Sequence, residues 1–112
     1  MADLADEGQR GQWSFGPVVG AAWTPWGGDG LAHARVIAEA DGYTMVEVRA
    51  RVGYVGGAHE HTHTEFAYVV SGVVRSNGVV LSAGHGAVAG AGSTHDSFEV
   101  LEDATYITIF KF

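Results

Sequence analysis

The chain contains no cysteine, which excludes disulfides, thiol nucleophiles and zinc–thiolate sites. Basic residues are scarce as well. Six Lys and Arg against 13 Asp and Glu give a net charge of -7, and the six are scattered from Arg10 to Lys111 with no basic patch. Such a balance repels nucleic-acid backbones and anionic membrane surfaces, so neither partner is expected. No apolar run approaches the roughly 20 residues that span a bilayer. Met1 to Gln12 is acidic and polar and lacks the apolar stretch of a signal peptide. The expected location is therefore cytoplasmic. Helical periodicity and internal repeats are also missing.

What remains is a chain of 112 residues, 46% hydrophobic, with 17 glycines. That length supports one domain with one core. Glycine at about twice its average share, with abundant Val, Thr and aromatics, suggests short strands joined by tight turns. Residues 1–29 read as an N-terminal arm, frayed to about residue 12. Its Trp13, Phe15, Trp23 and Trp26 would pack on the body or on a partner subunit. From Gly30 the pattern becomes regular. Leu31 to Ala38 and Tyr43 to Val52 read as strands turning at Asp41-Gly42. In the second, Thr44, Val46, Val48, Ala50 and Val52 form one face, with Glu47, Arg49 and Arg51 on the other. Further strands follow at Phe66–Val70, Val73–Arg75, Val79–Leu81, Ala87–Ala89, His95–Leu101 and Ala104–Phe110, with a hairpin at Ser76-Asn77-Gly78. The expected fold is all-β, a sandwich or barrel spanning residues 30–112.

The densest chemistry lies between Gly53 and Gly72. His59, His61, His63 and Glu65 are spaced two apart. On an extended strand all four would share one face. Imidazoles and a carboxylate are costly to bury without partners, and a metal ion would satisfy them together. Further along, His95 follows a glycine-rich turn and opens a strand, a position from which a side chain can aim into a barrel mouth.

Residues 53–72 fill every fixed position of G-x5-H-x-H-x3-E-x6-G, and Gly84, Gly92 and His95 match G-x5-P-x-G-x2-H-x3-N. Gly90 stands where the second pattern has proline, and Glu99 where it has asparagine. These are the two signature motifs of the cupins, and residues 30–112 resemble that superfamily of small β-barrels with a jelly-roll (double-stranded β-helix) fold. The resemblance implies one mononuclear divalent ion per chain (iron, manganese, zinc or nickel) held by His59, His61, Glu65 and His95. Three imidazoles and one carboxylate suit a borderline divalent ion. It also implies a small-molecule substrate, and a homodimer to which the tryptophan-rich arm would contribute.

The remaining residues carry alternatives. His63 would either replace His59 in a shifted frame, at the expense of the Gly53 and Glu65 spacing, or serve beside the site as a proton shuttle. Glu99 has the strand parity of His95, and it joins His63 as a candidate general base facing the cavity. Phe98, Tyr106, Thr108 and Phe110 are expected to line the pocket. Glu60 has the wrong parity and should be solvated, while His33 and His85 read as surface or hydrogen-bonded histidines. Arg49 and Arg51 form either a salt-bridged outer face with Glu47 or an anion clamp. The favoured reading is a metalloenzyme acting on an oxygenated, metal-chelating substrate. With iron it would be an oxidoreductase of dioxygenase type; with zinc, manganese or nickel, an isomerase, cyclase or lyase. The rival is a non-catalytic ligand-binding or sensory cupin, expected to carry a DNA-binding or signalling segment.

Overall fold

Asp41 and Gly42 both adopt left-handed φ, at 56° and 83°, and Asn77 and Gly78 do the same at 46° and 83°. Paired positive φ angles make the two-residue turn whose twist matches antiparallel strands. Each pair closes a tight hairpin, with Ala40 opposite Tyr43 and Ser76 opposite Val79. The structure, a computed structural model, describes residues 9–17, 22–57 and 59–111, with Gln9, Arg10, His59 and Glu60 described by backbone alone. Most of the frayed stretch expected at the N-terminus lies outside the described residues.

Among the described residues the protein is all-β, without a helix. Two short strands, β1 (Gln9–Arg10) and β2 (Trp13–Ser14), pair with each other. β3 (Thr24–Pro25) adds to the edge of β4 (Ala32–Ala40), which pairs with β5 (Tyr43–Ala50). β6 (Val55–Gly56) and β7 (His59–Glu60) follow, then the long β8 (Glu65–Ser76), β9 (Val79–Ser82), β10 (Gly86–Ala89) and β11 (Thr94–His95). β12 (Phe98–Lys111) ends the series. The main ladder runs β10-β8-β12-β5-β4-β3, with β6 on β12 and β9 on β8, while β7 and β11 form a separate ribbon. No helix is long and apolar enough to cross a membrane among the described residues.

Alternation decides the core. Thr44, Val46, Val48 and Ala50 are buried on β5 and face Phe110, Thr108, Tyr106 and Ala104 of β12 in register. Val52 departs from the expected face. β5 ends at Ala50, and Val52 sits in the following turn, 57% exposed, its amide donating to Asp103 Oδ1. Trp26 packs on the core, and Trp23 lies between the guanidinium groups of Arg35 and Arg49, each 4.6 Å from its ring. Glu47 holds Arg35 at 2.9 Å and Arg49 at 3.8 Å, making this a paired outer face.

One residue sets how β8 frames the interior. Glu65, Ala67 and Val69 face inward before Gly72, and Val74 and Ser76 face inward after it. The inward parity changes from odd to even across Gly72, whose φ is 84° and beside which the β8–β12 register shifts. This is a β-bulge, an extra residue that re-aims side chains. It allows Glu65 and Ser76 to look into the same space.

Candidate metal centre

The β7–β11 ribbon joins the two histidine motifs. His95 stands opposite His59 in register, and the His61 amide donates to Ser93 O at 2.8 Å while the Gly92 amide donates to His61 O at 2.7 Å. The His-x-His-x-His-x-Glu stretch is not the single straight strand its spacing suggests. β7 stops at Glu60, the chain bends at Thr62-His63, and β8 begins only at Glu65. Pairing of His61 with the Gly92–Ser93 turn captures the chain there. His63 is left exposed at the cavity rim, its Nδ1 3.1 Å from Thr62 Oγ1.

The bend brings His61 and Glu65 together. His61 is buried, and its Nδ1 lies 3.0 Å from Glu65 Oε1. The other carboxylate oxygen accepts a hydrogen bond from the hydroxyl of fully buried Thr108. The His61 ring stacks on His95, centroids 5.8 Å apart at 29°. His95 Nε2 meets Ser76 Oγ at 3.2 Å, and its ring sits edge-on to Phe98. Asn77 anchors this arm: Oδ1 accepts from the amides of Asp96 and Ser97 at 2.9 and 3.2 Å, and Nδ2 donates to Thr94 O.

These groups line a cavity of about 660 Å³. Phe98, Tyr106, Thr108 and Phe110 are all on its wall, as are Trp26, expected only to pack on the body or a partner subunit, and Tyr54, which sequence patterning did not single out. His85 also borders it, with Nδ1 accepting the Ser82 amide proton at 2.9 Å. Burial, then the neighbouring Tyr54 hydroxyl, pushes the Tyr106 pKa well up; a hydrogen bond from the Trp26 indole acts the other way. Burial first and Asp29 second raise Tyr54 too.

No family model matches the sequence, and no curated protein does. Solved structures do match. KdgF from Halomonas sp. superposes with a TM-score of 0.74 at 26% identity, covering 89% of this chain and 94% of that one. An RmlC-like cupin from Shewanella frigidimarina gives 0.73 at 23% identity, over 87% and 88% of the two chains. An acetylacetone dioxygenase from Acinetobacter johnsonii gives 0.75 at 9% identity, over 92% and 76%. The chain is a cupin by fold.

Within this cupin, Glu99 does not occupy the position its parity suggested. Phe98 and Val100 face inward, whereas Glu99 points out and pairs with Arg75 at 3.1 Å, 43% exposed. The parity argument fails because Asp96-Ser97 leave the strand to bond Asn77, so the count from His95 is broken. The donor set can be tested for an ion directly. His61 Nδ1 and Glu65 Oε1 meet directly at 3.0 Å, and nitrogen with carboxylate oxygen is a suitable pair for a borderline divalent ion. Among the described side chains, no group of three His, Asp or Glu is gathered as a ready-made shell. His95 engages Ser76, and the side chain of His59 lies outside those described.

Proposed function

We propose that this cupin is a metal-dependent enzyme acting on an oxygenated organic substrate that chelates the ion. The observation that carries this reading is the His61–Glu65 pair stacked beside His95 in the wall of a largely apolar cavity. His59, His61, Glu65 and His95 would hold one divalent ion. Such an ion supplies Lewis acidity toward a carbonyl or enolate oxygen, and with iron it also supports dioxygen chemistry.

The chain's own groups have separate tasks. Thr108 fixes one oxygen of Glu65 and Ser76 orients His95, the kind of outer support that sets ligand geometry. Exposed at the rim, His63 is placed to relay a proton between solvent and substrate. Tyr106, kept neutral by burial, is a hydrogen-bond donor to a substrate oxygen rather than an anion. The apolar wall excludes water from the reacting groups.

Metal content tests the reading, measured by mass spectrometry on protein purified without added metal or affinity tag, beside His61→Ala. About one ion per chain, lost in the variant, is expected. Iron at that level selects the dioxygenase class; zinc, manganese or nickel selects isomerisation, cyclisation or elimination. Wild-type protein that takes up no metal even after reloading refutes the enzyme and leaves a ligand-binding or sensory module.

A further inference from the structure

Small side chains leave a track along one wall of the cavity. β8 and β10 pair with Ala89 opposite Glu65 and Ala87 opposite Ala67. Two backbone bonds carry the pairing a step further: the Val69 amide donates to His85 O and the Gly84 amide to Val69 O, each at 2.9 Å. Alternation along β10 therefore turns Ala89, Ala87 and His85 inward, and all three border the cavity beside Ala67 and Val69. Ala67, Ala87 and Ala89 present nothing larger than a methyl group, so the space between Glu65 and His85 stays open.

His85 is exposed, yet it is held on both its backbone and its ring. Its amide donates to Ser82 O at 3.0 Å, and its carbonyl accepts the Val69 amide proton. The ring is turned back onto the same turn, Nδ1 accepting from the Ser82 amide at 2.9 Å with Ser82 Oγ at 3.3 Å. A ring nitrogen that accepts an N–H carries no proton of its own, so the neutral imidazole keeps its proton on Nε2. That nitrogen lies on the far edge of the ring, directed away from the turn, and no described residue bonds to it. A donor fixed in this way loses little freedom when it takes an acceptor from a ligand.

We infer that His85 is a specificity-determining residue, its Nε2–H taking an oxygen acceptor of the ligand at the end of the alanine track remote from Glu65. The ligand class that fits is elongated: chelating oxygens at one end, an unbranched apolar middle over the methyl groups, and a second oxygen function at the far end. Four residues of strand and one strand spacing separate Glu65 from His85, roughly 14 Å between backbones. Contacts at both ends leave about 8–10 Å between the two oxygen functions of the ligand. For its chelating end this rests on the metalloenzyme reading; the His85 donor stands without it.

Nitrogen NMR of the histidines in chelator-stripped protein, assigned with His85→Gln, tests the donor without any metal. Long-range proton–nitrogen correlations should show the Nε2–H tautomer, and excess octanoate should shift the His85 Nε2 signal. An Nδ1–H ring, or a signal that octanoate leaves in place, overturns the proposal. Titration calorimetry on zinc-loaded protein then tests the span, with suberate and octanoate as probes. Suberate, whose carboxylates stand about that distance apart, should bind about fivefold more tightly than octanoate, the worth of one net hydrogen bond. His85→Ala should abolish that advantage with zinc content and octanoate affinity unchanged, and His85→Gln, which keeps an N–H donor, should restore part of it. Equal affinity for the two acids in wild-type protein, or an advantage that survives in His85→Ala, overturns the assignment. Protein that takes up no zinc yet keeps the Nε2–H tautomer and its response to octanoate refutes the metalloenzyme instead, so the two failures are told apart.

Discussion

Replacing Gly72 by alanine should be a strongly damaging single-methyl change. A Cβ there would fall inside contact distance of the Asp103 carbonyl oxygen, 2.5 Å from Ala104 Cα and 2.8 Å from Ala104 Cβ. None of these atoms is the tip of a flexible side chain, so β8 and β12 must move apart. The φ of 84° adds the penalty of a left-handed alanine, about 1–2 kcal/mol, and overpacking adds roughly 1–3 kcal/mol. A total of about 3 kcal/mol is expected, a large part of the roughly 5–15 kcal/mol by which a domain is stable. Gly84→Ala provides the control: its φ is 90°, yet nothing lies within 4 Å of the added methyl, so only the backbone penalty of about 1–2 kcal/mol applies. Urea unfolding followed by tryptophan fluorescence and far-ultraviolet circular dichroism measures both. At about 4 °C per kcal/mol for a domain of this size, the melting temperature should drop by roughly 12 °C for Gly72→Ala. Metal affinity should fall with it, because Glu65 and Ser76 reach one cavity only through the bulge at Gly72. If Gly72→Ala costs no more than Gly84→Ala, the close approach to β12 is not a constraint and the parity argument fails.

Thr108→Val keeps shape but deletes the donor to Glu65 Oε2; metal affinity should fall about tenfold in a chelator competition, Thr108→Ser should restore it, and unchanged affinity in the valine variant would show that Thr108 does not orient the carboxylate. Tyr106 titrates above its ordinary 10.0 when folded, so the unfolded chain releases that proton first: the Tyr106 contribution to stability is constant below pH 10.0 and falls above it by up to about 1.4 kcal/mol per pH unit. Urea midpoints at pH 9 and 11 should show that loss, reduced in Tyr106→Phe, and a slope indifferent to the substitution would contradict the burial argument. Glu99→Gln should leave metal content and turnover unchanged and cost about 0–1 kcal/mol, since its partner Arg75 lies on an exposed face; lost turnover would return Glu99 to the cavity.

Local chemistry was legible wherever it was decided locally. Asp41-Gly42 and Asn77-Gly78 are turns because few other residue pairs tolerate two left-handed positions. The inner face of β5 could be read by alternation as far as Ala50 and no further, because Arg51 turns to donate to Leu31 O and the strand ends. The histidine cluster was legible in composition but not in shape. Its bend depends on a turn some thirty residues downstream, at Gly92–Ser93, which alternation within residues 59–65 cannot register. Glu99 failed for the same reason, its parity broken by a side chain from the β8–β9 turn. Trp26 and Tyr54 carried no periodic signal at all; each reaches the cavity from irregular chain beside glycine.

The long-range bonds missed by the sequence reading are also those that hold the centre together. β7 and β11 contribute two residues each, and an isolated two-stranded ribbon is at best marginally stable in water. It is fixed to the barrel at points near the candidate donors: His61 to Glu65, His95 to Ser76 and Phe98, and the Thr94–Ser97 arm to Asn77. Those anchors come from β8, the turn that follows it, and the first residue of β12. Anything that loosens the crossing of β8 and β12 therefore loosens the ribbon. Conversely, any ligand that binds between His61, Glu65 and His95 ties the ribbon down, stabilising it by mass action. Local order at the mouth and occupation of the site are thus one equilibrium, set by the geometry at Gly72.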